Sequence, residues 1–137
     1  MTGIGSTTLT IRLFGDELDP DEVSNLLGAQ PSSSNRKGAV RQSASGRSIV
    51  ERTGYWRYKA QERKPGDLSA QIRETFGQMT ADLEVWRMLS RRFAGDCFCG
   101  LFMSETNEGL VLEPEVLDIL TARGLTLMLD IYNDARN

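Results

Sequence analysis

Residues 8–14 read TLTIRLF, a run in which polar and apolar side chains alternate. This period of two predicts a β-strand with one apolar face and one mixed face. Asp19, Pro20 and Glu22 then have the spacing of a helix start, because an aspartate can cap, a proline suits the first helical position and a glutamate completes a capping box. Gly28 is placed to end that helix. The chain therefore opens with a strand and a helix.

The rest of the chain continues this alternation. Further strands are predicted at 54–60, 97–103, 110–112 and 125–132, a long helix at 68–93, and a third helix from Pro114 to the stop at Gly124. The strand at 97–103 is apolar on both faces, which is typical of a central strand. The predicted fold class is α+β, a ferredoxin-like split βαβ sandwich with a mostly antiparallel sheet and its helices on one face. The length of 137 residues suits one domain spanning 1–137.

Residues 29–53 differ from the rest of the chain, since they contain six serines and few large apolar side chains. We expect a long, mobile, basic loop here, with a short edge strand near 39–42. Between Asn35 and Lys64, nine basic residues face only two acidic ones, while the formal net charge of the whole chain is −3. A strongly basic stretch in an acidic protein favours an anionic partner.

Composition argues against several classes of protein. The chain has no histidine and only two cysteines, Cys97 and Cys99, so the commonest general base and a full set of zinc ligands are missing. We expect no enzyme activity, no cofactor and no metal.

Two buried free thiols suit a reducing compartment, and neither a secretory signal nor an apolar run of membrane-spanning length is visible. The expected location is the cytoplasm, without membrane contact.

The strand periods divide the side chains between two faces of a sheet. The apolar face collects Leu9, Ile11, Leu13, Trp56, Tyr58, Cys97, Cys99, Leu101, Met103, Leu125, Leu127, Leu129 and Ile131, and we expect helices to cover it. The mixed face collects Thr8, Thr10, Arg12, Phe14, Tyr55, Arg57, Lys59, Phe98, Gly100, Phe102, Thr126, Met128, Asp130 and Tyr132. Its aromatic and charged groups suit a binding platform, although the serine-rich loop or a partner subunit could equally cover it.

Five residues are the candidate binding residues on and beside the mixed face: Arg36, Lys37, Tyr55, Arg57 and Lys59. Asp130 on the same face is expected to form an ion pair with Arg12 or Arg57, with a catalytic role as the less common alternative. Trp56 and Trp86 are expected in the core rather than in a ligand site.

Several motifs together resemble a known family. They are FGDELDPDEVSNLLGAQP at 14–31, RKG at 36–38, GYW at 54–56, FCGLFMS at 98–104 and GLVLEPEVLDILTARGLTLMLDIY at 109–132. The chain resembles an uncharacterised, mostly bacterial family called domain of unknown function 4279, over nearly its whole length. The resemblance implies no established activity. Its motif residues are structural or binding positions at most: Asp16, Asp19, Pro20, Gly28, Pro31, Lys37, Gly38, Trp56, Gly100, Gly124 and Asp130.

Three functional hypotheses remain open from the sequence. The first is a non-catalytic protein-interaction module, and one form of it is an immunity-like protein that binds and neutralises a bacterial toxin, by analogy with similar small proteins. The second is a nucleic-acid-binding domain that uses the basic and aromatic sheet face. The third is a domain that binds or transforms a small anion through Arg36, Lys37, Arg57 and Asp130. The oligomeric state is not predicted.

Overall fold

The computed structural model of the chain describes residues 2–133. Its strands are β1 (Thr2–Gly3), β2 (Ser6–Gly15), β3 (Ser33–Asn35), β4 (Val40–Gln42), β5 (Ser48–Val50), β6 (Gly54–Lys59), β7 (Ala94–Met103), β8 (Glu108–Gly109) and β9 (Thr126–Asn133). Its helices are α1 (Pro20–Leu27), α2 (Leu68–Gly77), α3 (Leu83–Arg92) and α4 (Pro114–Ala122).

The main sheet has five strands in the order β3–β6–β2–β7–β9. The pairs β3–β6, β6–β2 and β2–β7 are antiparallel, while β7 and β9 are parallel. The predicted α+β class is confirmed, and the sheet is mixed rather than purely antiparallel. The ferredoxin-like order is not confirmed; the crossover through α4 joins β7 to the adjacent strand β9, and these two strands run parallel.

One hydrophobic core holds the sheet and the helices together. Ile11 on β2, Trp56 on β6 and Cys97 on β7 are all fully buried, as the alternation predicted. They share a single cluster with apolar side chains from all four helices. The apolar face of the sheet is therefore the face that the helices cover, and both tryptophans lie in the core.

The predicted helix at 68–93 is two helices, and the prediction of one was wrong. The Thr80 amide donates to the Leu27 carbonyl at 2.8 Å, and the Asp82 side chain accepts from the Glu84 amide and so caps α3. The Trp86 indole donates to the Thr80 carbonyl. The apolar spacing continues in step across the break, so periodicity did not reveal it. The break is fixed by capping and by a contact with α1.

The last strand also departs from its prediction. Leu129 and Ile131 on the apolar face of β9 are 41% and 60% exposed. β9 lies at the edge of the sheet, and α4 is the helix that packs on it. A short helix cannot cover a whole edge strand, so the far half of β9 is left in solvent. The predicted strand at 110–112 does not form, and β8 at Glu108–Gly109 pairs with β1 instead.

Residues 29–53 contain more structure than a loop. β3 joins the main sheet beside β6, and β4 and β5 form a separate two-stranded hairpin. The expected short strand near 39–42 is present as β4. Arg41 on β4 forms an ion pair with Glu51, which ties the base of the hairpin together.

Mobility of residues 32–52 stays a prediction, and limited trypsin digestion measures it. We expect the first cut after Arg47, which is exposed in the turn between β4 and β5. Arg41 should be cut more slowly, because it lies within β4 and is ion-paired. Arg47→Gln should delay the first cut without changing the fold. A first cut at Arg87, inside α3, would show that the hairpin is not the most mobile internal segment.

Candidate functional site

The sheet face opposite the helices is the candidate site, and we call it the open face. It consists of the mixed-face residues named above together with Asp96, which the register places in the same rows. Of these residues only Gly100 is buried, and the others all retain solvent exposure. Within residues 2–133 neither the serine-rich segment nor any helix encloses this face.

An ion pair lies at the centre of the open face. The antiparallel register places Arg12 opposite Asp96 on one side and opposite Arg57 on the other. The Nε and Nη2 atoms of Arg12 donate to the two Asp96 carboxylate oxygens at 2.8 and 2.6 Å. This hydrogen bonding and the carboxylate charge raise the pKa of Arg12. The Arg12 guanidinium is thus fixed in place, with its charge already matched.

Arg57 is in a different situation, and it is the most distinctive residue of the open face. Its guanidinium carbon lies 4.2 Å from the Tyr55 ring centroid and 5.8 Å from that of Phe14. No ion pair links Arg57 to an acidic residue in the described part of the chain. Stacking holds the guanidinium plane, while its donors keep their capacity for a partner.

Aromatic rings and arginines alternate across this half of the face. Arg12 lies 5.5 Å from the Phe14 centroid and 4.3 Å from that of Phe98. The Tyr55 hydroxyl accepts a hydrogen bond from the Asn35 amide at 3.0 Å, which ties the ring to β3. We call Arg12, Phe14, Tyr55, Arg57 and Phe98 the arginine–aromatic cluster. Its planar groups are held by one another and by the strands beneath.

The other half of the open face is built around Gly100. The Thr8 hydroxyl accepts a hydrogen bond from the Gly100 amide, and the Phe102 ring leans over the glycine, where a Cβ would meet it at 3.0 Å. Phe102 stacks on Tyr132 with ring centroids 4.7 Å apart. The Tyr132 hydroxyl donates to Asp130, and this bond raises the pKa of Tyr132.

The expected ion pair of Asp130 with Arg12 or Arg57 was wrong. The register places Asp130 beside Gly100, two rows away from Arg12, whereas Asp96 lies directly opposite. Asp96 was missed because the strand was predicted to start at Cys97, although β7 starts at Ala94. Counting back two residues from Phe98 would have found it.

The five candidate binding residues do not form one site. Tyr55 and Arg57 lie together in the arginine–aromatic cluster. Lys59 is exposed at the far end of β6, four residues from Tyr55 and therefore about 13 Å along the strand. Arg36 and Lys37 lie instead beside the start of α1.

Arg36 and Lys37 are held there by acidic side chains. Arg36 donates to Asp19 at 2.8 Å, and Lys37 donates to Asp16 at 3.1 Å. Hydrogen bonds from Lys37 and from Thr53 lower the pKa of Asp16. Both pairs are exposed, so each contributes little stability, but their charges are balanced locally.

The positive charge of the basic segment is therefore partly neutralised by the fold. Four of its nine basic residues form ion pairs within residues 2–133: Arg36, Lys37, Arg41 and Arg63. Arg57 is one of those without such a pair, and it is the one that stacks on aromatic rings.

Away from the open face, the described residues include two free thiols and a cavity. Cys97 and Cys99 are buried free thiols with Sγ atoms 3.8 Å apart, and the Cys99 contact together with burial raises the pKa of Cys97. No group of three potential metal ligands occurs between residues 2 and 133. None of the helices in this range is long and apolar enough to cross a membrane. A cavity of about 430 Å³ lies elsewhere, and the Gln71 amide in its lining is already bonded to Thr7 and Gln61.

Comparison with known proteins gives one match. A family model described as a domain of unknown function (DUF4279) matches residues 6–134, which confirms the resemblance seen in the sequence. No curated protein and no solved structure matches significantly.

Proposed function

We propose that this chain, which belongs to the DUF4279 family, is a non-catalytic protein-binding module that uses the arginine–aromatic cluster on its open face. One observation carries the proposal. The Arg57 guanidinium is stacked on Tyr55 and has no acidic partner in the described chain, while the neighbouring Arg12 is fully paired with Asp96. A carboxylate on a partner protein would complete the pairing of Arg57, as Asp96 does for Arg12.

The composition of the face favours a protein over a polyanion. Tyrosine, phenylalanine and arginine are enriched where protein interfaces are buried, and they contribute most of the binding energy. Asp130 lies on the same face and forms no ion pair in the described chain, so its charge would repel a phosphate backbone. The net charge of −3 for the whole chain acts in the same direction. A partner protein that offers one carboxylate to Arg57 and apolar groups to the aromatic rings meets less of this repulsion than a phosphate backbone does, and a bacterial toxin with such a surface is one partner that fits.

Single-stranded nucleic acid is the second candidate. Tyr55, Phe14 and Phe98 present rings on three adjacent strands, and bases stack on platforms of this kind. Binding of this type would depend steeply on salt, because it releases counterions from phosphates. A small anion at Arg57 is the third form of recognition that the same geometry allows.

The test starts with a pull-down from the native cell extract and continues by titration of the captured protein. Tyr55→Ala and Arg57→Ala should each weaken binding by about 1–3 kcal/mol, a factor of roughly 5 to 150. Association should also slow as salt rises, because opposite charges steer the encounter. Both side chains lie outside the core, so the variants should remain folded.

Arg91→Ala is the matched control, because Arg91 is exposed on α3, on the helix side, with no ion pair in the described chain. It should bind as the wild type does. If the folded Tyr55→Ala/Arg57→Ala double variant binds with unchanged affinity, the open face is not the site. If a labelled oligonucleotide binds and no protein is captured, the nucleic-acid candidate replaces the proposal.

A further inference from the structure

The edge strand β9 carries an unusual concentration of exposed apolar side chains. Large hydrophobic residues that are exposed within residues 2–133 are few, and five of the eight lie on β9 or on the adjacent helix α4. They are Leu117, Met128, Leu129, Ile131 and Tyr132. Leu129 and Ile131 lie on the apolar face of β9, and Met128 and Tyr132 lie on its open face, so apolar side chains are exposed on both sides of this strand. Such a concentration marks a contact surface more often than scattered single residues do.

β9 also lacks the usual protection of an edge strand. It is eight residues long, and only Asp130 in it is charged. That carboxylate is hydrogen-bonded to Tyr132 on the open face, so the apolar face of β9 carries no charged side chain that would oppose pairing with another strand. Within residues 2–133 no strand pairs with the outer edge of β9, so the outward amide and carbonyl groups between Thr126 and Tyr132 have no strand partner there.

We propose that β9 pairs antiparallel with β9 of a second copy of this chain, across a twofold axis that passes through Leu129. A symmetric antiparallel pair always places one residue opposite itself at the axis. Axes through Leu129 or Asp130 give the longest overlap of the two strands. An axis through Asp130 would set two carboxylates directly opposite each other, and like charges in that position are destabilising.

The axis through Leu129 gives complementary neighbours instead. Leu129 meets Leu129 of the second copy, and Leu127 meets Ile131 of the second copy on the same face. Asp130 then lies opposite Met128 of the second copy, so no charge meets a like charge. Branched aliphatic pairs across strands stabilise sheets, and here they bury the side chains that α4 leaves exposed.

The second copy fits better than an unrelated partner because the strand complements itself in this register. The two five-stranded sheets become one continuous sheet, with all helices on one side and both open faces on the other. The pairing satisfies the free edge of β9 in both copies at once. This inference does not depend on the proposed binding partner of the open face.

The oligomeric state tests the inference. Light scattering after size exclusion should give twice the chain mass of 15.3 kDa for the wild type. Leu129→Lys and Ile131→Lys should each shift the protein to the monomer mass, because two added charges meet the partner strand. Circular dichroism should show both variants folded, since these side chains are exposed in the single chain.

Val40→Lys is the matched control, because Val40 is equally apolar and 64% exposed but lies on β4, outside the main sheet. It should remain dimeric. A wild type that is monomeric at every concentration, or lysine variants that stay dimeric, would overturn the inference.

Disulfide trapping tests the register. Leu129→Cys should cross-link to itself under mild oxidation, while Ile131→Cys should not, because its two copies would lie about 13 Å apart along the strands. The native thiols are buried and do not compete. Faster cross-linking through Ile131→Cys than through Leu129→Cys would show that the twofold axis does not pass through Leu129.

Discussion

Replacing Ile11 with alanine is expected to lower the free energy of unfolding by about 2–5 kcal/mol. Ile11 is fully buried at the middle of β2, where the register places it between Tyr58 on β6 and Cys97 on β7. Removing most of its side chain forfeits apolar burial and leaves a cavity beneath the helices. The central strand is rigid and cannot move to fill that cavity. The lost burial and the cavity should therefore both lower the free energy of unfolding. Urea denaturation followed by tryptophan fluorescence measures the loss.

Thr10→Ala is the matched control for Ile11→Ala. Thr10 is the neighbouring residue on β2, but it is half-buried and lies on the open face, opposite Lys59 and Phe98. Its replacement should cost less than about 1 kcal/mol, mainly through reduced strand propensity. Equal losses for the two variants, with unchanged denaturant dependence, would contradict the assignment of the core to the Ile11 face.

Gly54→Ala is the second large effect, and it arises from backbone proximity rather than from lost burial. A Cβ at Gly54 would lie 2.8 Å from the Gly15 carbonyl oxygen and 3.0 Å from the Leu18 carbonyl oxygen. Both atoms belong to the backbone, so neither can rotate away as a side chain could. We expect a loss of about 1–3 kcal/mol or more, typical of overpacking at a rigid position. Thermal and chemical unfolding should both show that Gly54→Ala is less stable than the wild type.

Gly77→Ala separates this steric effect from the general effect of replacing a glycine. Gly77 is the last residue of α2, and no atom lies within 4 Å of the position that its Cβ would take. Alanine favours helix over glycine by up to about 1 kcal/mol, so this variant should be neutral or more stable. If Gly54→Ala is as harmless as Gly77→Ala, the close approach of β6 to the turn after β2 is not as described.

The local elements follow from the sequence because their causes are local. Alternation in TLTIRLF produced the central strand, and the same period correctly assigned Ile11 and Trp56 to the core. Asp19 caps α1 by accepting from the Asp21 amide, and Gly28 ends the helix with a positive φ of 71°. Glycine adopts that conformation without strain. The position of Arg57 beside Tyr55 on the open face also follows from the period of two.

The tertiary structure decided which distant residues lie against each local element and pair with its side chains. Arg36 and Lys37 are paired with Asp19 and Asp16, which are remote in sequence, so a basic run did not make one basic site. Arg12 is paired with Asp96 for a similar reason, because strand register selects the partner.

The edge strand β9 shows most clearly that the apolar period of a strand does not by itself predict burial. The apolar period of β9 predicted a buried face, yet Ile131 is 60% exposed because β9 is the edge strand and α4 covers only part of it. A period fixes the direction in which a side chain points. What lies opposite that side chain depends on strand order and helix length, which arise from contacts between distant parts of the chain.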